Sequence, residues 1–477
     1  ILSTFNKSRQ IAVKKPEENK DLTFPYLAAP QTPGKIKSRK DFDDQGITRV
    51  IFENGTTLFV KQTDFEADQV KAALSFGAGE SVEPADQAGL SELSQQVVNL
   101  SGLGQLDRDQ LKQVLAGKNT SVSFSVEEDK FVFSGQSVTD ETRLLFELFY
   151  THLMDPAFRK TAYKLATKQF TQKYQSLGHS IEGAMQLEGS RFLASGDHRF
   201  GLPALETLKQ TRLADIRQWI TGAMKNSPIE IAVVGDMEPD RVIELAATFF
   251  GTIAERSGIC KAEKGRHPDF PENKSTNIDV PTRIDKGLVL VAYPTTDIWN
   301  IDHTRRLSIL SQVVSDRMRI KIREEMGAAY SQAAYNKPGR AYADWGIFNA
   351  YAVIDPEDAG VVRQAVKSIA ADLKENGATK DEVKRALQPV LTGIKESLKT
   401  NNYWLNTVLK GASRHPVQIE WNRSIKSDYK SITRQDINKM ADMYLENDSA
   451  ATVFIHPAEK QAKDAGNKAG GAQGSED

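Results

Sequence analysis

Apolar residues along this chain recur with two different periods. Leu90, Leu93, Val97 and Leu100 fall three or four positions apart, which predicts a helix starting near Ala88. Alternating or continuously apolar segments at 48–52, 57–60, 70–76, 122–126, 130–134, 229–234, 288–292 and 451–455 predict strands. Asn54-Gly55 supplies a hairpin turn between the first two. Further helices are predicted over 139–152, within 158–195, over 213–224 and 239–250, from about 302, and near 436–445. Asp355-Pro356-Glu357-Asp358 reads as a helix start, with Asp355 at the cap and proline at the first helical position. Thr379 and Glu382 form a capping box.

The order of these elements repeats. Leu90-Ser-Glu-Leu-Ser-Gln-Gln-Val-Val and Leu307-Ser-Ile-Leu-Ser-Gln-Val-Val occupy corresponding helices. This points to an internal duplication with a period of about two hundred residues, far too long for a solenoid. The expected fold is therefore α+β, with two homologous domains, each a mixed β-sheet with helices packed mainly on one side. The expected bounds are a polar connecting arm at 1–45, domains at 46–256 and 286–460, a linker at 257–285 and a disordered tail at 461–477. The arm carries Pro16, Pro25, Pro30 and Pro33 and lacks sustained periodicity, and the tail is low in complexity.

Composition narrows the function. With 477 residues the chain can build more than one core. Its 62 Lys and Arg against 63 Asp and Glu argue against a nucleic-acid partner, which requires a basic excess. No run is apolar for long enough to span a membrane. The chain begins at Ile1, so it is expected to be a processed or excised piece. Its one cysteine, Cys260, excludes an internal disulfide and a cysteine-based zinc site. The seven histidines are scattered and are expected at the surface or in caps. Gly102-x-Gly104 follows a helix rather than a strand and lacks the third glycine of a dinucleotide loop.

Candidate chemistry concentrates in Asp316 to Ser331, DRMRIKIREEMGAAYS. Met318, Ile322 and Met326 predict one buried helix face, and Gly327 predicts its stop. Arg323 in the last turn and Tyr330 at the next strand can face one shared cavity, where guanidinium and phenol donors suit peptide carbonyls. The same two residues also fit plainer roles: Arg at the negative end of a helix dipole, and Tyr packing at a core edge.

Arg323-Glu-Glu-x-Gly-x-x-Tyr330-Ser, preceded by Ser315-Asp-Arg317, resembles the Arg/Tyr motif of the M16 zinc peptidases, the insulinase and pitrilysin family. The similarity runs from about Ile47 to Ala458 and is nearest the second half of long bacterial four-domain members. The resemblance implies a clamshell in which a catalytic half carries zinc and H-x-x-E-H, and a second half like this one closes a chamber over peptide. In it, Arg323 and Tyr330 are substrate-binding residues. The zinc positions fall on Glu92, Gln95 and Gln96, one carboxylate and two neutral amides, so no metal site and no catalytic residue is expected here. Glu92 is read as a solvated or paired helix-face carboxylate. This half alone is expected to be inactive, with zinc as the cofactor of its partner half. The family resemblance also suggests a periplasmic location, with the cytoplasm still open. The alternative function is a degenerate M16-type scaffold or binding subunit without proteolysis.

Overall fold

The computed structural model describes residues 22–256 and 267–458. A seven-stranded sheet contains β1 (Ile36–Phe42), β2 (Ile47–Phe52), β3 (Thr57–Gln62), β4 (Val70–Phe76), β5 (Ser121–Val126), β6 (Phe131–Ser137) and β7 (Glu230–Gly235). Their order across the sheet is β1-β2-β3-β7-β4-β6-β5. A five-stranded sheet contains β8 (Ser275–Val280), β9 (Gly287–Thr295), β10 (Ser331–Pro338), β11 (Gly346–Ile354) and β12 (Ala451–Pro457). Its order, β8-β12-β9-β11-β10, retraces β3-β7-β4-β6-β5 strand for strand. In each sheet one pairing is parallel, β3 with β7 and β8 with β12, and the rest are antiparallel. The duplication seen in the two Leu-Ser helices thus extends to the whole hydrogen-bonding path.

One face of each sheet is covered by helices of its own half. Leu93 and Val97 of the helix Leu90–Ser101 join Phe146, Ile220 and Val242 against Leu58, Leu74 and Phe133. Leu307, Leu310 and Val314 of the helix Ile301–Met318 do the same against Val291, Phe348 and Ala350. The opposite faces are covered by exchange. Trp404, Leu405, Val408 and Leu409 from the second half lie on Phe59, Ala73, Val132 and Val234 of the first sheet. Ile181, Ala184 and Leu193 from the first half lie on Leu288, Leu290 and Val453 of the second. Both covering segments contain a π-helical stretch, Met185–Gly189 and Trp404–Leu409. Burial on both faces is why β7 and β9 are continuous apolar runs. Each fully buried Leu or Val contributes about 1.5–3 kcal/mol, so the junction between the halves belongs to the core.

Two strands lie where connecting segments are expected. β1 falls inside 1–45 and β8 inside 257–285. Both are edge strands: β1 is exposed along nearly its whole length, and β8 buries only Ile278 and Val280. A strand with so little buried surface needs no apolar alternation, so its sequence reads as a linker. His152 is also not at the surface. It is buried with its ring centroid 5.1 Å from that of Phe133, and burial lowers its pKa to about 4. The readings on Pro16, Cys260 and residues 461–477 lie outside the described residues.

Candidate functional site

The Arg/Tyr stretch does not continue as the α-helix its apolar spacing predicts. The α-helix ends at Met318, and Arg319–Glu325 widens into a π-helical turn. Such a turn holds one more residue than an α-turn, so a four-residue spacing no longer stays on one face. Met318 and Ile322 are fully buried, whereas Met326 is 40% exposed. Gly327 then reverses the chain at φ +68°, and Ala328 N–H closes the turn on the Ile322 carbonyl at 2.9 Å.

This geometry leaves Arg323 exposed, with no hydrogen bond or ion pair among the described residues. Tyr330 is 51% exposed; its N–H donates to the Val353 carbonyl and its hydroxyl donates to Asp355 Oδ1 at 2.8 Å. The Lys286 ammonium sits 3.9 Å from the centre of the Tyr330 ring. Asp355 is the N-cap residue and Pro356 opens the short helix, as the sequence predicts, although the Asp355 side chain makes no cap hydrogen bond there. The neighbouring Ser-x-Arg is structural. Ser315 Oγ accepts from Ala334 N–H, and Arg317 ties Asp372 and Glu382 together. Neither Arg323 nor Tyr330 lines the cavity that lies between the two halves.

This cavity, of about 350 Å³, is lined by Glu80, Glu92 and Lys173 on one side and Lys337, Tyr342 and Trp345 on the other. Glu92 is partly buried, and the Lys173 charge acts on it. It faces this cavity without a hydrogen bond or ion pair among the described residues, and burial raises its pKa. Glu80 is held up to about 8 by burial and by the neighbouring carboxylates of Glu83, Glu92 and Glu128. Glu83 is buried and accepts from the N–H groups of Gly89 and Ser91, capping the helix that carries Glu92. Nothing in the local sequence pattern marked Glu80 or Tyr342, which meet only when the halves close.

Of Glu92, Gln95 and Gln96, the positions where the resemblance expects zinc ligands, two are neutral amides and one of these is tied to backbone. Gln95 Oε1 accepts from the Val126 N–H at 3.1 Å. One turn on, Asn99 accepts from the Phe124 N–H and donates to the Phe124 carbonyl, both at 2.8 Å, as a neighbouring strand would. Side chains at and beside the metal positions are thus spent on covering the free edge of β5. Neutral amides tied to backbone in this way are poor zinc ligands. Among the described residues no group of three or more His, Cys, Asp or Glu is placed to hold a metal.

The family model described as "Peptidase M16 inactive domain" matches residues 212–390, which include the whole Arg/Tyr stretch. Residues 212–390 thus match the M16 peptidase family, and the likeness extends over most of the chain in the relatives that follow. Across 451 residues it is 21% identical to the chloroplastic stromal processing peptidase of Oryza sativa subsp. indica, covering 83% of this chain and 36% of that one. The fold is that of the periplasmic protease PqqL from Escherichia coli, with a TM-score of 0.78 at 17% identity, over 96% of this chain and 50% of that one. A ferredoxin protease, FusC E83A in complex with Arabidopsis ferredoxin, gives a TM-score of 0.76 at 17% identity with the same coverage. The chain thus spans about half the length of these solved relatives. Among its described residues no helix is long and apolar enough to cross a membrane.

Proposed function

We propose that this M16 chain is the non-catalytic, substrate-binding half of a zinc-dependent metalloendopeptidase, closing a chamber over peptide substrates. Its partner is a catalytic M16 half, in the same chain or separate, which carries the zinc. The carrying observation is the placement of Arg323 and Tyr330. Both are exposed, both lie outside the cavity between the two sheets, and Arg323 has no partner among the described residues. An unpaired guanidinium with five donors is free to hold a carbonyl presented by another body. Tyr330 is one acceptor exchange away from donating to an oxygen that becomes negative during hydrolysis. The reading carries a periplasmic location with it, the compartment of the Escherichia coli protease PqqL.

The test is reconstitution with a catalytic half and peptide. Arg323→Ala and Tyr330→Phe are each expected to lower kcat by about a hundredfold or more, the cost of removing one donor aimed at developing charge. Turnover at the wild-type level in both variants would overturn the assigned roles.

A scaffold or binding subunit without proteolysis is the second reading, and one feature favours it. The edge of β5 is covered at Phe124 by Asn99, and that of β10 at Ala334 by Ser315. A peptide cannot pair at either residue without displacing a side chain. A partner that binds this chain tightly yet shows no peptide hydrolysis in the reconstituted pair would decide for the scaffold.

A further inference from the structure

We propose that the cavity between the two sheets binds a small zwitterion, a molecule of amino-acid or dipeptide size with a free ammonium and a free carboxylate. This goes beyond the chamber reading and does not rest on it, because every group concerned lies in this chain. At about 350 Å³ the cavity falls within the range of small-molecule sites.

Its wall holds polar groups of both signs that the protein leaves without hydrogen-bonded or ion-pair partners among the described residues. Glu80 and Glu92 make no side-chain hydrogen bond or ion pair among the described residues, and neither do Lys173 and Lys337. The four line one cavity, yet none of these carboxylates forms an ion pair with either ammonium. Tyr342, another wall residue, is only 7% exposed, and its hydroxyl has no hydrogen-bond partner. Buried polar groups are normally satisfied, so an unpartnered hydroxyl beside two carboxyl and two ammonium groups that form no ion pair marks a place where a guest belongs. Arg199 is not part of this set, because its guanidinium is bound to Asp197 and lies 4.5 Å from the centre of the Tyr342 ring.

The sign pattern selects the ligand. A simple cation would satisfy Glu80 and Glu92 but bring more positive charge toward Lys173 and Lys337, and a simple anion would do the reverse. A molecule with both charges meets both pairs. The aromatic walls Phe200 and Trp345, 5.4 Å apart between ring centres, offer an apolar surface for the remainder. Glu80 is fixed by its backbone. Gly79, at φ +61°, lies where an added Cβ would come 2.0 Å from the Glu127 carbonyl oxygen, so no other residue fits before it. The burial and carboxylate crowding that push Glu80 up to about 8 are relieved by a bound ammonium.

Isothermal titration of the full chain with Ala-Ala, Ala-Phe and Ala-Lys, and with the N-acetyl and C-amide forms of each, tests this. At least one free dipeptide is expected to bind saturably with Kd below ~1 mM, and capping either end to weaken it by about tenfold or more. Glu92→Gln, Lys337→Met and the nearly isosteric Tyr342→Phe should each weaken binding by about tenfold while thermal unfolding shows the variants folded. Absence of saturable heat with all three dipeptides up to about 10 mM would mean a cavity that holds only water. Equal affinity for capped and free forms, or unchanged binding in all three variants, would likewise overturn the proposal. None of these outcomes bears on the Arg323 and Tyr330 reconstitution.

Discussion

The Tyr330 hydroxyl donates to Asp355 Oδ1 at 2.8 Å, joining the mouth of β10 to the residue that leads out of β11. The sequence reads these residues as a substrate donor and a helix cap, and in the fold each occupies the other. The hydrogen bond and the charge of Asp355 together hold the Tyr330 phenol above its ordinary range. Asp355→Ala is expected to bring it back down, read by pH titration of ring-labelled tyrosine in NMR with Tyr330→Phe as the assignment control. Since the pair is exposed, thermal stability should not change measurably. An unshifted Tyr330 would mean that Asp355 does not hold the phenol in solution.

Arg317 sits behind the Arg/Tyr stretch as a brace. Its guanidinium reaches Glu382 at 2.7 Å, Asp372 at 2.6 Å and the Gly377 carbonyl at 3.0 Å. Burial works to raise the Glu382 pKa, but hydrogen bonds from Arg317 and Thr379 and the Arg317 charge outweigh it and carry the group to about 2. A carboxylate depressed in the folded state stabilises fully above its unfolded pKa, and that contribution is lost as pH falls from about 4.5 toward 2. Arg317→Ala should cost about 2–4 kcal/mol at neutral pH and flatten the acid limb of the stability curve. Arg317→Lys should recover only part, because it cannot bridge several acceptors at once. Chemical unfolding across this pH range is the check.

Glu80 runs in the opposite direction. Its folded pKa lies above the unfolded value, so its contribution is complete below about 4.5 and is lost as pH rises through about 8. Glu80→Gln should match wild type at pH 5 and exceed it on the alkaline side by an amount on the order of 2 kcal/mol. If the two curves stay parallel, Glu80 is ionised in the folded protein at neutral pH.

Glu230, buried at the start of β7, receives the Gly411 N–H at 2.5 Å and the Ser413 N–H at 2.7 Å from the other half. Removing an acceptor from two buried donors costs about 2–3 kcal/mol. Glu230→Ala should therefore lower the thermal midpoint and make the chain around Gly411 newly sensitive to limited proteolysis. Resistance equal to that of wild type would show that the apolar contacts of Trp404 and Leu409 alone hold this junction.

Much of the fold is legible along the chain itself. The helix faces of Leu90–Ser101 and Ile301–Met318, the capping box at Thr379 and the apolar runs of β7 and β9 all lie where periodicity places them. β1 and β8 are illegible because an edge strand exposed to solvent leaves no alternating record. Periodicity misplaces Met326 because a π-helical turn changes the residue count per turn without any marker residue. It gives no sign of the cavity that Glu92 lines, because the opposite wall, with Lys337 and Tyr342, comes from the other half of the chain.

The amino-acid order by itself determined the α+β class, the duplicated element order, the M16 resemblance carried by Arg323 and Tyr330, and the two amides where that resemblance expects zinc ligands. Each is a property of short segments, set by helical and strand periods or by residue type at fixed spacing. Only the tertiary structure decided that Arg323 stands free while Tyr330 is held by Asp355. It also decided that each half roofs the other's sheet, and that charges from the two halves share one cavity. Those outcomes depend on how two folded halves pack against each other, and packing across such distances leaves no periodic trace along the chain.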